Sequence, residues 1–109
     1  MYSAIFGNAT AEKVLLYIAN YGEGHTRVIS STFDISPNQV YQQLIRLEKE
    51  GILISKVSGR TKLFTFSPRL AIKKPLLKLL EEILILVSAE DQKKYYRDRT
   101  RPRKTGKVL

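Results

Sequence analysis

The stretch DISPNQVYQQLIRLEKEGILI, residues 34–54, limits the fold more than any other part of the chain. Ser36 with Gln39 forms a capping box and Pro37 occupies the first helical position, so a helix starts there. Asp34 stands where the preceding helix must stop. Asp is one of the few residues besides Gly that tolerates a left-handed backbone, so two helices are expected to meet across the short turn 34–36. In the second of them Val40, Leu44 and Leu47 fall on one side. That periodicity turns Asn38, Gln42 and Arg46 outward and leaves Gln39, Tyr41 and Gln43 on the flanks, with Gly51 closing the helix.

Upstream, Asn8 caps a helix over about residues 9–20, whose Ala11, Val14, Leu15 and Ile18 repeat on one face before Gly22 stops it. Thr26 is expected to cap a short helix that turns Ile29 and Phe33 inward. Downstream, residues 52–57 and 60–66 are rich in β-branched and aromatic side chains around Ser58 and Gly59, a two-residue hairpin signal. With that turn Ile52, Ile54 and Leu63 are expected to face the core, and Arg60 and Lys62 to sit near the tip on the other side.

Pro68 ends the hairpin and Pro75 is expected to begin a helix that is apolar around most of its circumference. So much apolar surface points to a second copy, joined through Leu76, Leu77, Leu80, Ile83, Leu84 and Val87. Ser88 and Asp91 start a further short helix carrying Tyr95 and Tyr96. The expected fold class is therefore mainly α with a β-hairpin wing: a winged helix-turn-helix over residues 1–69, a C-terminal helical dimerisation segment over 70–96, and a basic flexible tail over 97–109.

Composition narrows the chemistry. With 109 residues and no cysteine, the chain suits one domain without a disulfide framework, thiolate metal site or cysteine nucleophile, and the cytoplasm is the expected compartment. No leader and no membrane span is visible in MYSAIFGNAT or beyond. His25 has no second histidine or carboxylate at ligand or dyad spacing and reads as a surface residue. Glu81 and Glu82 point about 100° apart on a helix, away from any shared substrate. No glycine-rich phosphate loop exists, so no catalytic residue, cofactor or metal is expected. The net charge is +9, with 11 basic and 7 acidic residues before residue 89 and 8 and 3 after it. Such an excess favours a polyanion through counterion release.

Three helices followed by a hairpin place the third helix where such folds present a recognition helix to the major groove. Its Asn38, Gln39, Gln42, Gln43 and Arg46 are of the types that pair with adenine or guanine edges. Arg27, Lys56, Arg60 and Lys62 would meet phosphates or the minor groove, and Tyr41 is either a contact or the edge of the core. Residues 7–69 resemble the winged-helix regulators of the ArsR-like class, most clearly through Ile35, Ser36, Val40, Leu44, Leu47, Glu48 and Gly51 and through the wing turn Ser58, Gly59 and Arg60. The ending, with Tyr95, Tyr96, Arg101, Pro102, Arg103, Gly106 and Lys107, is similar to that of small stand-alone proteins of this type. The resemblance implies Gln39, Tyr41, Gln42 and Arg46 as the groove-facing set and Arg60 as the wing contact. ArsR-like metal sensors use Cys and His ligands that this chain lacks, so metal sensing is not expected. The expected function is sequence-specific binding of double-stranded DNA by a homodimeric transcription regulator. The rival expectation is a winged-helix interaction module, antitoxin-like or a scaffold, that holds a protein partner through the apolar last helix and the basic tail.

Overall fold

A computed structural model of the chain describes residues 2–96. The elements run α1 (Ser3–Phe6), α2 (Ala9–Tyr21), α3 (Thr26–Phe33), α4 (Pro37–Lys49), β1 (Leu53–Ser58), β2 (Thr61–Phe66), α5 (Lys73–Leu86) and α6 (Ala89–Tyr95). This is the order of a winged helix-turn-helix, α2 to β2, preceded by one short helix and followed by two more. The expected tail over 97–109 lies outside the described residues.

Helix α2 is the hub. Asn8 accepts a hydrogen bond from the Ala11 N–H at 2.8 Å and starts it, as its side-chain type suggests. The helix is buried on nearly every side, because α1, α3, α4, α5 and β2 all pack against it. Leu16, Tyr17 and Ala19, off the face marked by periodicity, are therefore as buried as Val14 and Ile18. The short helix α1 has no sequence signal that the pattern above recognised.

The turn between α3 and α4 is built as its sequence requires. Asp34 has φ 56 and ψ 51, the left-handed conformation. The buried hydroxyl of Ser30 donates to the Ile35 carbonyl, and the Ile35 N–H returns to the Ser30 carbonyl at 3.1 Å. Ser36 Oγ then accepts from the Gln39 N–H at 3.2 Å, with Pro37 in the first turn. The cap of α3 differs from expectation. His25, not Thr26, is the cap, its Nδ1 accepting from the Val28 N–H at 3.2 Å.

The hairpin forms, with two corrections. Ser58 pairs with Thr61, so the turn residues are Gly59 and Arg60, not Ser58 and Gly59. Gly59 carries φ +65. A turn with glycine in its first central position places the positive φ on the residue without a Cβ, whereas a Ser-Gly turn would have forced it on a serine. The core face is also the other one. Leu53, Phe64 and Phe66 are buried, while Ile54 is 45% exposed and Leu63 half-buried. The face holding two phenylalanines and a leucine removes more apolar area from water than the face holding Ile54 and Leu63 among Lys56, Thr61 and Thr65. Lys62, alternating with Phe64, therefore lies on the inner face. The far edge of β2 is paired to Gly24, N–H to Phe64 carbonyl at 3.0 Å and back at 2.8 Å. A Cβ at Gly24 would meet the Ile29 and Tyr17 side chains at 3.0 Å, so a larger residue there would make both give way by a few tenths of an ångström.

Helix α5 begins at Lys73, ahead of Pro75, which sits in the first turn where its missing N–H has no partner to lose. Leu80, Ile83 and Leu84, expected at a dimer contact, are buried in the chain's own core, and Leu76, Leu77 and Val87 are partly buried against it. The helix leaves Ile72, Leu79 and Leu86 exposed instead. Helix α6 starts at Ser88, whose Oγ accepts from the Asp91 N–H at 3.2 Å, and latches through its aromatic end. The Phe33 ring lies 5.0 Å from that of Tyr95 and 6.0 Å from that of Tyr96, and the Tyr21 hydroxyl donates to the Tyr95 carbonyl.

Leu53→Ala should cost about 2–5 kcal/mol of unfolding free energy, since it empties a filled site. Ile54→Ala should cost less than about 1 kcal/mol, as expected away from the core. Equal losses in chemical denaturation would contradict the register. Burial, reinforced by the carboxylates of Glu12 and Asp91, holds the Tyr96 hydroxyl protonated well above the usual tyrosine range. The folded state thus keeps a proton that the unfolded chain gives up. Stability should be flat below the ordinary tyrosine pKa and fall as pH rises beyond it, and Tyr96→Phe should shallow that alkaline fall.

Candidate nucleic-acid interface

Helix α4 is pinned along a narrow line: Val40, Leu44 and Leu47 are its buried residues. At about 100° per residue, Asn38, Gln42 and Lys49 point directly away from that line. All three are exposed, and so are Gln39 and Arg46 on one flank and Tyr41, at 44%, on the other. These six side chains are amides, a phenol and two cations; the nearest carboxylates are those of half-buried Glu48, on the Tyr41 flank, and exposed Glu50, at the C-cap. Arg46 and Lys49 also lie in the last turn, where positive charge complements the helix dipole.

The flank nearest α1 is organised by hydrogen bonds. Arg46 donates from Nε and Nη2 to Gln43 Oε1 at 3.0 and 2.9 Å, and from Nη2 to the Phe6 carbonyl at 3.4 Å. Asn8, already the cap of α2, donates from Nδ2 to the same Gln43 oxygen at 3.4 Å. Gln43 is thus half-buried and occupied, and Arg46 is held at the edge of the helix. The set expected from periodicity divides accordingly: Asn38, Gln39, Tyr41 and Gln42 share the open surface, Arg46 borders it, and Gln43 supports Arg46.

The opposite flank meets the hairpin. Glu48 accepts from the Ser55 hydroxyl and lies 3.7 Å from Lys62 Nζ, an ion pair whose partners are 31% and 41% exposed. Lys62 also lies over the Phe64 ring, 5.5 Å from its centroid. The expected free tip lysine is therefore tied to α4. Lys56 is exposed on the outer face of β1, and Arg60 is exposed in the turn itself. Arg27 is exposed in the first turn of α3 and shares a cleft with Arg60 and Lys62.

Sequence reasoning missed Lys49 and His25. Lys49 stands seven positions after Gln42, close to two turns on, and extending the outward stripe to the helix end would have found it. His25 reads as a surface residue from sequence because no second histidine or carboxylate stands at ligand or dyad spacing. Its partner is a backbone N–H. Among the described residues no group of three or more His, Asp and Glu side chains is placed to hold a metal ion, and no helix is long and apolar enough to cross a membrane.

No family model and no curated protein matches the chain. Solved structures do. The YusO protein from Bacillus subtilis is 15% identical with a TM-score of 0.55, over 78% of this chain and 66% of that one. A mutant of Lactococcus lactis ZitR is 18% identical with a TM-score of 0.52, over 79% and 66%. The disulfide-formed AbfR is 18% identical with a TM-score of 0.55, over 86% and 67%. ZitR is described as a zinc-responsive MarR family member. The chain spans about two thirds of the length of these structures. The likeness establishes the winged helix-turn-helix fold that the resemblance implied, and does not single out the ArsR-like class.

Proposed function

We propose that the chain is a transcription regulator that binds double-stranded DNA as a homodimer, with α4 in the major groove and the hairpin on the backbone or in the minor groove. One observation carries this reading: α4 is buried along a single line and exposes, on its far side, amide and cationic side chains without an acidic one. A helix so presented fits the groove in shape and matches it in sign. Asn38 and Gln42 are suited to adenine N6 and N7, whereas Lys49 is a point charge suited to phosphate. Arg46 has Nε and Nη2 engaged and offers Nη1. A positioned guanidinium loses less side-chain entropy on binding.

Leu79 and Leu86, seven residues apart on α5, and Ile72 at its N-cap are 39%, 60% and 57% exposed, which favours this stripe as the contact with a second copy. A two-fold contact there would present two α4 helices to successive grooves. The Arg and Lys residues beyond Tyr96 add sequence-independent attraction through counterion release. The protein would act in the cytoplasm, where its DNA is, by occupying its site.

Selection from random duplexes with the purified chain should return a preferred sequence. Gln42→Ala should flatten the preference at one base pair by about 1–3 kcal/mol. Lys49→Ala should weaken all duplexes alike and reduce the slope of log K against log salt by about 0.9. Unselective binding that Gln42→Ala leaves unchanged would overturn the groove assignment. Light scattering should give a dimer that Leu79→Glu converts to a monomer; a monomeric parent chain would overturn the dimer.

A further inference from the structure

The concave surface between the start of α3 and the tip of the hairpin lies apart from the outward side of α4, and its lining is one-sided in its chemistry. The cleft measures about 560 Å³ and is lined by His25, Thr26, Arg27, Arg60, Thr61 and Lys62. Every one of these side chains carries a hydrogen-bond donor, and none is a carboxylate. Two guanidinium groups and an ammonium group converge from two elements that the Gly24–Phe64 pairing locks side by side. Like charges brought together repel. The carboxylate recorded against them is Glu48, which meets Lys62 alone, at 3.7 Å from Nζ. Arg27 and Arg60 have no such partner among the described residues.

His25 adds a directed donor. Its Nδ1 accepts from the Val28 N–H at 3.2 Å, so the neutral ring carries its proton on Nε2, at the opposite edge. The cap thus fixes the tautomer, and the remaining ring nitrogen is a donor in a cleft that otherwise offers cations and hydroxyls. The place of the cleft selects among anions. It is open, and its Lys62 reaches across to Glu48 on α4, so an anion held there runs beside the groove-facing helix.

We propose that this cleft clamps one backbone phosphate of the duplex, with His25 Nε2–H, Arg27 and Arg60 as its donors. The inference rests on the DNA-binding reading above and adds to it a defined phosphate position and a role for His25. The clamp fixes how far α4 is inserted and in what register. It carries no sequence information of its own.

The test uses the full chain and a duplex obtained by selection, in which each backbone phosphate in turn is replaced by a neutral methylphosphonate. The parent chain should lose about fivefold or more in affinity at one phosphate beside the α4 footprint, the scale of a charge-assisted contact. In Arg27→Ala with Arg60→Ala that position should cost nothing further, while penalties elsewhere persist. His25→Asn keeps a cap acceptor for Val28 and removes the Nε2 donor, so it should weaken cognate and unrelated duplexes by the same factor with an unchanged Tm. Should His25→Asn lower the Tm, the methylphosphonate comparison in the arginine variants decides alone. A scan identical in parent and variants, with the preference still lost in Gln42→Ala, would overturn the clamp and leave the DNA reading standing. A parent chain that binds no duplex would overturn both. Inorganic phosphate that shifts the His25 ring signals and competes with the duplex at low concentration would assign the cleft to a free anion and overturn the backbone clamp.

Discussion

The narrowness of the seam that holds α4 governs the molecule. Val40, Leu44 and Leu47 anchor a helix of 13 residues to the core, and a helix held along so thin a line must leave most of its surface outside. What remains exposed is then free to be chosen for something other than stability. The seam works because α2 behind it is buried on nearly all sides and cannot tilt, since neighbours press on it from α1, α3, α5 and β2. The angle of α4 is set at Asp34, where a left-handed residue and the Ser30–Ile35 hydrogen bonds define the corner. Core, corner and open face are one mechanical unit.

The polar ties around α4 share a purpose with that unit. On one flank Asn8 and the Phe6 carbonyl hold Gln43 and Arg46; on the other Ser55 and Lys62 hold Glu48. Exposed ties of this kind contribute little to folding free energy. They restrict where long side chains can go, and a side chain already placed loses less freedom when a ligand arrives. Of the two carboxylates beside α4, that of Glu48 is paired by them, which weakens its field on the Tyr41 flank. His25 does the same for α3: one ring nitrogen caps the start of the helix and thereby decides which nitrogen of the neutral ring carries the proton.

Much of this was legible in the residues. Ser36, Pro37 and Asp34 announce a helix start and a corner by local chemistry, and local chemistry does not need the rest of the chain. The line Val40, Leu44, Leu47 likewise defines its own opposite. Apart from the α3 cap and the hairpin turn, which are local, the misjudged features depended on competition between distant groups. Either face of the hairpin carries apolar residues, and Phe64 with Phe66 won through volume, which alternation does not weigh. The turn lies one residue later because glycine in its first central position spares Ser58 the positive φ. Leu80, Ile83 and Leu84 looked available for a second copy because the sequence does not reveal how much of α5 the neighbouring α2 will cover. Gln43 lies on the helix flank as its spacing says, but Asn8 and Arg46 occupy its side-chain oxygen.

The central claim is that the side of α4 turned away from Val40, Leu44 and Leu47 is the surface that meets DNA. Its most direct test is an NMR titration of the labelled chain with a duplex taken from selection, following every amide and the Asn and Gln side-chain amides. The account predicts that the largest changes fall on residues 38–49, with the side-chain amides of Asn38 and Gln42 foremost and smaller changes around residues 25–27 and 60–62. Changes confined to α5 and α6, with the Asn38 and Gln42 signals unmoved at saturation, would contradict it.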